Sequence, residues 1–261
     1  MKISLKGKRA LIGGSSGGIG KAIAQQLAES GASVTLMARN EDKLKSVLEG
    51  LAFSEGQSHQ YFIVDFSNYK EYKTVISAYF ASNTVDILVN NTQGPPAGNA
   101  LEKNIEDYQE AFDLLFKTVV YTTELALPNM LENQWGRVIN VASITVKEPL
   151  SYLALSNSIR ASLVTWAKSL ATDVGENQIT VNSILTGYFD TERIAQLNSK
   201  KAAQLGISED EVLADMKSKV PLKRIGDPKE YGYLVAFLAS DNAAFITGTQ
   251  IPIDGGLLKS L

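Results

Sequence analysis

The sequence contains no cysteine and only one histidine, His59. The first absence excludes disulfides, thiolate metal sites, cysteine nucleophiles and thiol redox switching. The second leaves no basis for a histidine-rich metal site or a histidine-centred triad, so no metal is expected. His59, at the edge of an apolar run, reads as a surface residue. No uninterrupted apolar stretch approaches the roughly 18 residues of a membrane span. No block of like charge stands out among 25 basic and 28 acidic residues, for a net charge of −3. Neither a membrane nor a nucleic acid is therefore expected as a partner. The opening MKISLKGKRALIGG has no long apolar core with a small-residue cleavage site, which sets a cytoplasmic location as the expectation.

What is present is a chain of 261 residues, 44% hydrophobic and 20% charged, able to bury a large core without staples. Short apolar runs, rich in β-branched residues, lie at 9–12, 33–38, 60–64, 85–89, 137–141, 180–184 and 249–253. Such runs, apolar on both faces, read as buried parallel strands. Segments of helical period fall between them, at 19–29, 41–51, 69–80, 108–133, 154–174 and 228–239. The alternation predicts an α/β fold, a doubly wound seven-stranded parallel sheet with helices on both faces. No repeat or linker divides residues 1–261, so one domain is expected. Residues 188–222 break the alternation, being long, polar and helical over 209–217. They read either as a lid over a site or as a packed surface subdomain.

The run Ile12, Gly13, Gly14, Ser15, Ser16, Gly17, Gly18, Ile19, Gly20 follows the first strand and opens the first helix. Glycines in that context let the backbone approach a pyrophosphate, and the helix start offers free N–H groups to it. This is the arrangement of a dinucleotide-binding Rossmann domain, the alternative being a merely tight strand–helix turn. The acid that would hold a ribose 2′-hydroxyl about 20 residues on is absent. The second strand instead ends Met37, Ala38, Arg39, Asn40. The planar fork of an arginine suits a 2′-phosphate, so NADP(H) is favoured over NAD(H), with a solvated Arg39 as the alternative.

With these motifs the chain resembles the short-chain dehydrogenase/reductase family end to end, and its β-ketoacyl-ACP-reductase-like branch in particular. Gly14, Gly18 and Gly20 match the TGxxxGxG loop, with Gly13 in place of the threonine. Asp65 matches the acid that meets the adenine amino group. Asn90-Asn91-Thr92-Gln93-Gly94 stands where the family carries NNAG. Asn182 and Gly187 match VNxIxPG, with Thr186 replacing the proline. Thr191, the 221–230 segment and the 247–256 segment match later signatures. The resemblance implies that Gly14, Ser16, Gly18, Ile19, Gly20, Arg39, Asp65, Asn91, Arg160, Gly187 and Thr191 bind the dinucleotide.

The family's catalytic set is Asn, Ser, Tyr and Lys, the last two spaced YxxxK. Ser143 matches the serine; its alternative is a strand-end serine bonded to backbone. Ser156 stands where the tyrosine belongs, Arg160 where the lysine belongs, and Leu115 in place of the asparagine. A serine is a far weaker acid than a phenol, and a guanidinium holds its proton essentially permanently. If the helix starts early enough, Tyr152 lies one turn before Ser156 on the same face. Tyr188, after the Thr186-Gly187 turn, falls near the cofactor pocket. Either phenol is a candidate replacement proton donor, or a pocket-wall or interface residue. Phe112, Leu114, Leu115 and Val119, with Val164, Trp166 and Leu170, make two helices broadly apolar. In the family these helices pair in homodimers and homotetramers, and a buried helix in a monomer has the same pattern. Three functions follow. One is an NADP(H)-dependent oxidoreductase acting on a carbonyl or alcohol, such as a 3-oxoacyl thioester. The others are a dinucleotide-binding pseudoenzyme with a regulatory or scaffolding role, and an isomerase or dehydratase that does not need YxxxK.

Overall fold

The protein, represented by a computed structural model, is described over residues 3–260. Seven strands form one sheet in the order β3-β2-β1-β4-β5-β6-β7, and every pairing is parallel. They are β1 (Arg9–Gly13), β2 (Ser33–Ala38), β3 (Gln60–Ile63), β4 (Ile87–Asn90), β5 (Gly136–Val141), β6 (Ile179–Thr186) and β7 (Gln250–Ile253). The alternation of side chains along each strand divides the core in two. Ala10, Ile12, Val34, Leu36, Ile87, Val89, Ile139 and Val141 point into one layer. Leu11, Met37, Leu88 and Val138 point into the other.

The first layer is closed by α1 (Gly18–Glu29), α2 (Glu41–Glu49) and α9 (Pro228–Ala239). The second is closed by α3 (Tyr69–Phe80), by α4 (Ile105–Phe112) running into α5 (Thr118–Glu132), and by α6 (Ala154–Val174). Helix starts follow local capping chemistry. Asn40, Asn68, Asn104 and Asp227 accept backbone N–H groups at the starts of α2, α3, α4 and α9. The chain order reverses its direction of travel across the sheet between β1 and β4. A crevice therefore opens beyond their C-terminal ends, the standard ligand position in such sheets.

Three expectations need correction. The expected single helix over 108–133 begins at Ile105 and is interrupted by a π-helical turn, Asp113–Lys117, centred on Leu115. Apolar periodicity cannot reveal such a turn, because it shifts the helical phase by a residue without changing composition. The 188–222 segment is mostly helical, comprising α7 (Glu192–Leu205) and α8 (Glu209–Lys219), capped by Thr191 and Ser208. Its base is closed by Phe189 pairing with Gly226. His59 is half-buried rather than a free surface residue. Its Nδ1 accepts the Val34 N–H at 3.1 Å and its Nε2 lies 3.0 Å from the Ala52 carbonyl. One ring thus meets two backbone groups.

Helices α1 and α9 touch through backbone. A Cβ added at Gly232 would lie 2.8 Å from the Ala22 carbonyl oxygen. Gly232→Val is expected to destabilise the fold by about 2 kcal/mol in urea unfolding, since the helices must separate. A change within experimental error would show that this approach is dispensable.

Candidate functional site

The glycine loop lines the crevice. Gly14 and Gly18 have φ of +56° and +51°, a region that excludes most side chains. A Cβ at Gly20 would lie 2.3 Å from the Gly14 carbonyl oxygen, and one at Gly13 would lie 2.3 Å from that of Asn91. The Asn91 amide in turn donates to the Gly13 carbonyl at 2.9 Å, tying the end of β4 to the loop. The buried Ser15 hydroxyl accepts the Met37 N–H at 3.0 Å and ties the loop to β2. Gly17 starts α1 with no side-chain cap. The first N–H groups of α1 thus meet no capping side chain, and no Cβ obstructs the approach to them. Ser16 and Ile19 lie half-buried on this loop. The residues fit a pyrophosphate: a backbone cradle with unclaimed donors at a helix start.

At the end of β2, Arg39 is exposed and close enough to Asp65 for its charge to act there. Burial pushes the Asp65 carboxyl up. Hydrogen bonds from the Ser67 hydroxyl and N–H, at 2.7 and 2.9 Å, and the Arg39 charge outweigh it and hold Asp65 below the usual carboxylate range. On the opposite side, a Cβ at Gly187 would lie 2.6 Å from the Asp254 Cα, and one at Gly18 would lie 3.2 Å from the Thr191 methyl carbon. Thr191 therefore sits over the glycine loop.

Beyond β5, the half-buried Ser143 accepts the Thr145 hydroxyl at 3.0 Å and the Thr145 N–H at 3.2 Å. Its own proton is the remaining donor. Ser156 and Arg160 lie one turn apart on α6, the first half-buried and the second buried. The Arg160 guanidinium donates to the Val141 carbonyl at the end of β5, so it braces the strand that leads to Ser143. Burial pulls it down to about 10, and no carboxylate bears on it; the nearby Tyr231 opposes the shift weakly. Tyr231, itself buried, shares a 3.0 Å hydrogen bond with Thr186. Leu115 is buried in the apolar layer.

Tyr152 does not lie on α6. The N–H of Gly98 donates to the Tyr152 carbonyl at 2.8 Å and the Ala154 N–H donates to that of Gly98 at 3.1 Å. This short extended pairing delays the helix to Ala154. The Tyr152 and Tyr188 phenols nevertheless come together. Burial raises Tyr152 above the ordinary tyrosine range, and Tyr188 adds to the effect while Lys219 opposes it. Burial and Asp215 raise Tyr188, and the Tyr152 hydroxyl opposes.

The first turn of α7 was not legible as a site. Glu192 pairs with Lys43 of α2 at 2.9 Å. The Arg193 Nη2 donates to the Pro95 carbonyl at 3.1 Å, in the loop after β4. Only the unusual length of the 188–222 segment hinted that these residues matter. Among the described residues no acidic or histidine cluster could hold a metal, and no helix is long and apolar enough to cross a membrane.

The sheet order and the glycine cradle define a Rossmann-type dinucleotide fold. The sequence profile of the enoyl-(acyl carrier protein) reductase family matches residues 14–258, and the chain belongs to the short-chain dehydrogenase/reductase family. The NADPH-dependent reductase BacG of Bacillus subtilis (strain 168) is 31% identical over 97% of this chain and 99% of its own length. The 3-oxoacyl-[acyl-carrier-protein] reductase FabG of Rickettsia prowazekii (strain Madrid E) is 32% identical over 98% and 99%. The structure of L-sorbose reductase from Gluconobacter frateurii, complexed with NADPH and L-sorbose, is similar with a TM-score of 0.92 and 31% identity over all of both chains.

A buried cation without a carboxylate is costly to the fold. Arg160→Met keeps the length and removes the charge. It is expected to raise stability by about 1 kcal/mol or more in urea unfolding. A loss of stability would show that the brace to Val141 outweighs the desolvation of the charge.

Proposed function

We propose that the protein is an NADP(H)-dependent oxidoreductase that interconverts a carbonyl and an alcohol on a small molecule. The cradle of Gly14, Gly18 and Gly20 at the uncapped start of α1 carries this reading. Asn91, Gly187 and Thr191 form the rest of its wall, and Ser16 and Ile19 belong to the same loop. Arg39 supplies the preference for a 2′-phosphate, with Asp65 on the adenine side. When bound, the nicotinamide supplies or accepts the hydride, and the chain's task is position and a proton.

Ser143 is placed to give its hydrogen bond to the substrate oxygen, because Thr145 already occupies it as an acceptor. Arg160 would offset the negative charge that develops there and, at the position of the family lysine, would serve the nicotinamide ribose. Its guanidinium is engaged with the Val141 carbonyl, so we assign it no proton transfer. Ser156 lines the place of the missing phenol. The proton comes from Tyr152, Tyr188 or an ordered water. Both phenols carry a proton to give, and each is raised above the ordinary tyrosine range. Helices α7 and α8 serve as the lid over this site. The substrate is a ketone or a 3-oxoacyl thioester, as FabG-type relatives suggest. The half-exposed aromatic side chains Phe112, Phe116 and Trp166 support pairing into a homodimer or homotetramer. We place the enzyme in the cytoplasm, where its dinucleotide is available.

A second reading, a dinucleotide-binding protein without turnover, is favoured by one observation. The cation at the lysine position is buried against a backbone carbonyl, and the phenol that bears on it, Tyr231, is itself buried and bonded to Thr186.

Fluorescence titration should show NADPH binding more tightly than NADH. Arg39→Ser should weaken NADPH by about tenfold or more and leave NADH nearly unchanged, reflecting a charge-assisted fork. Equal affinities in the parent would remove the 2′-phosphate reading. Reduction of a small ketone or an acetoacetyl thioester then separates enzyme from binder. Tyr152→Phe or Tyr188→Phe should lower that turnover by about a hundredfold for whichever phenol donates. Unchanged turnover in both leaves water as the donor.

A further inference from the structure

Arg193 lies two residues beyond Thr191, on the turn that crosses the crevice. Three successive side chains of that turn reach three of its walls. Thr191 sits over Gly18 of the glycine loop, Glu192 holds Lys43 of α2, and Arg193 holds Pro95 of the loop after β4. Its guanidinium also lies near Gly94: a Cβ there would be 3.7 Å from Nη2 and 4.0 Å from Nε. The residue as a whole is exposed, but its guanidinium is the sheltered end, and burial alone lowers its pKa. No carboxylate bears on it among the described residues. A sheltered fork with most of its donors unspent, between the glycine loop and the loop after β4, is suited to a phosphate oxygen.

We propose that Arg193 is a phosphate-binding residue for the dinucleotide, meeting the pyrophosphate from the α7 side while the start of α1 meets it from below. This rests on the reading that the crevice takes a dinucleotide. The contact differs in kind from that of Arg39. Arg39 senses the 2′-phosphate and discriminates between cofactors, whereas Arg193 senses the phosphates that NADPH and NADH share. Beyond the length of the 188–222 segment and the neighbouring Thr191, nothing in the sequence singles out this position.

The test is calorimetric or fluorescence binding of NADPH, NADH and adenosine 2′-monophosphate, which carries the 2′-phosphate and no phosphate at the 5′ position. Arg193→Met should weaken both dinucleotides by a similar factor, about tenfold or more, and leave the monophosphate nearly unchanged. Arg193→Lys keeps the charge without the fork and should fall between parent and Arg193→Met. Arg39→Ser should give the complementary pattern, weakening NADPH and the monophosphate alone. Unchanged dinucleotide affinity in Arg193→Met overturns the assignment. So does an equal loss for all three ligands, which would mean that the turn merely shifts and loosens the whole crevice. Failure of the parent to bind either dinucleotide would instead sink the cofactor reading itself.

Discussion

The architecture of the crevice depends on one close approach, that of the glycine loop to the end of β4. The Gly13 Cα faces the Asn91 carbonyl with no room for a side-chain carbon, and the Asn91 amide returns a hydrogen bond to Gly13. This contact joins β1 and β4 where the sheet changes direction. It therefore sets the width of the crevice at the switch point. It also joins two places where the sequence reads differently from the motifs it resembles, Gly13 in the loop and Asn90-Asn91-Thr92-Gln93-Gly94 after β4, because a side chain at position 13 would meet the Asn91 backbone. The rest of the cradle follows from it, since Gly14 and Gly20 can approach each other only if β1 ends where Asn91 holds it.

The arginines around the crevice differ in their partners. Arg39, at a strand end, acts on the Asp65 carboxylate. Arg160, in a helix interior, and Arg193, at a helix start, have no carboxylate bearing on them among the described residues. Elsewhere the chain pairs its arginines, as in Arg9 with Asp86 and Arg224 with Glu230.

Strand positions and the glycine loop were legible because they are written in short apolar runs and in residue types with few other uses. All seven strands lie where the apolar runs fall, with ends displaced by one or two residues in most cases. The failures share a cause. Tyr152 stands off α6 because Gly98, distant in sequence, pairs with it. His59 is half-buried because it bonds Val34 and Ala52. Arg193 gained meaning only once α7 was seen to cross the crevice. Each depends on a contact between remote segments, which periodicity does not encode. Leu115, Ser156 and Arg160 were legible as residues at positions that the resemblance makes catalytic, but only the fold showed that Arg160 braces a strand end.

The π turn at Asp113–Lys117 has a consequence for shape. It acts as a phase shift within what would otherwise be a straight rod, so the side chains before and after it do not share one continuous stripe. Phe112 and Phe116 stack across the turn at 4.9 Å with their planes 16° apart, and Phe116 meets Trp166 of α6 edge-on. The aromatic ladder thus bridges the discontinuity and carries it to the neighbouring helix. Losing one residue in this stretch would restore a regular helix while turning residues 105–112 out of register with α6. The helix is better regarded as two coupled cylinders than as one, with Leu115 at the joint.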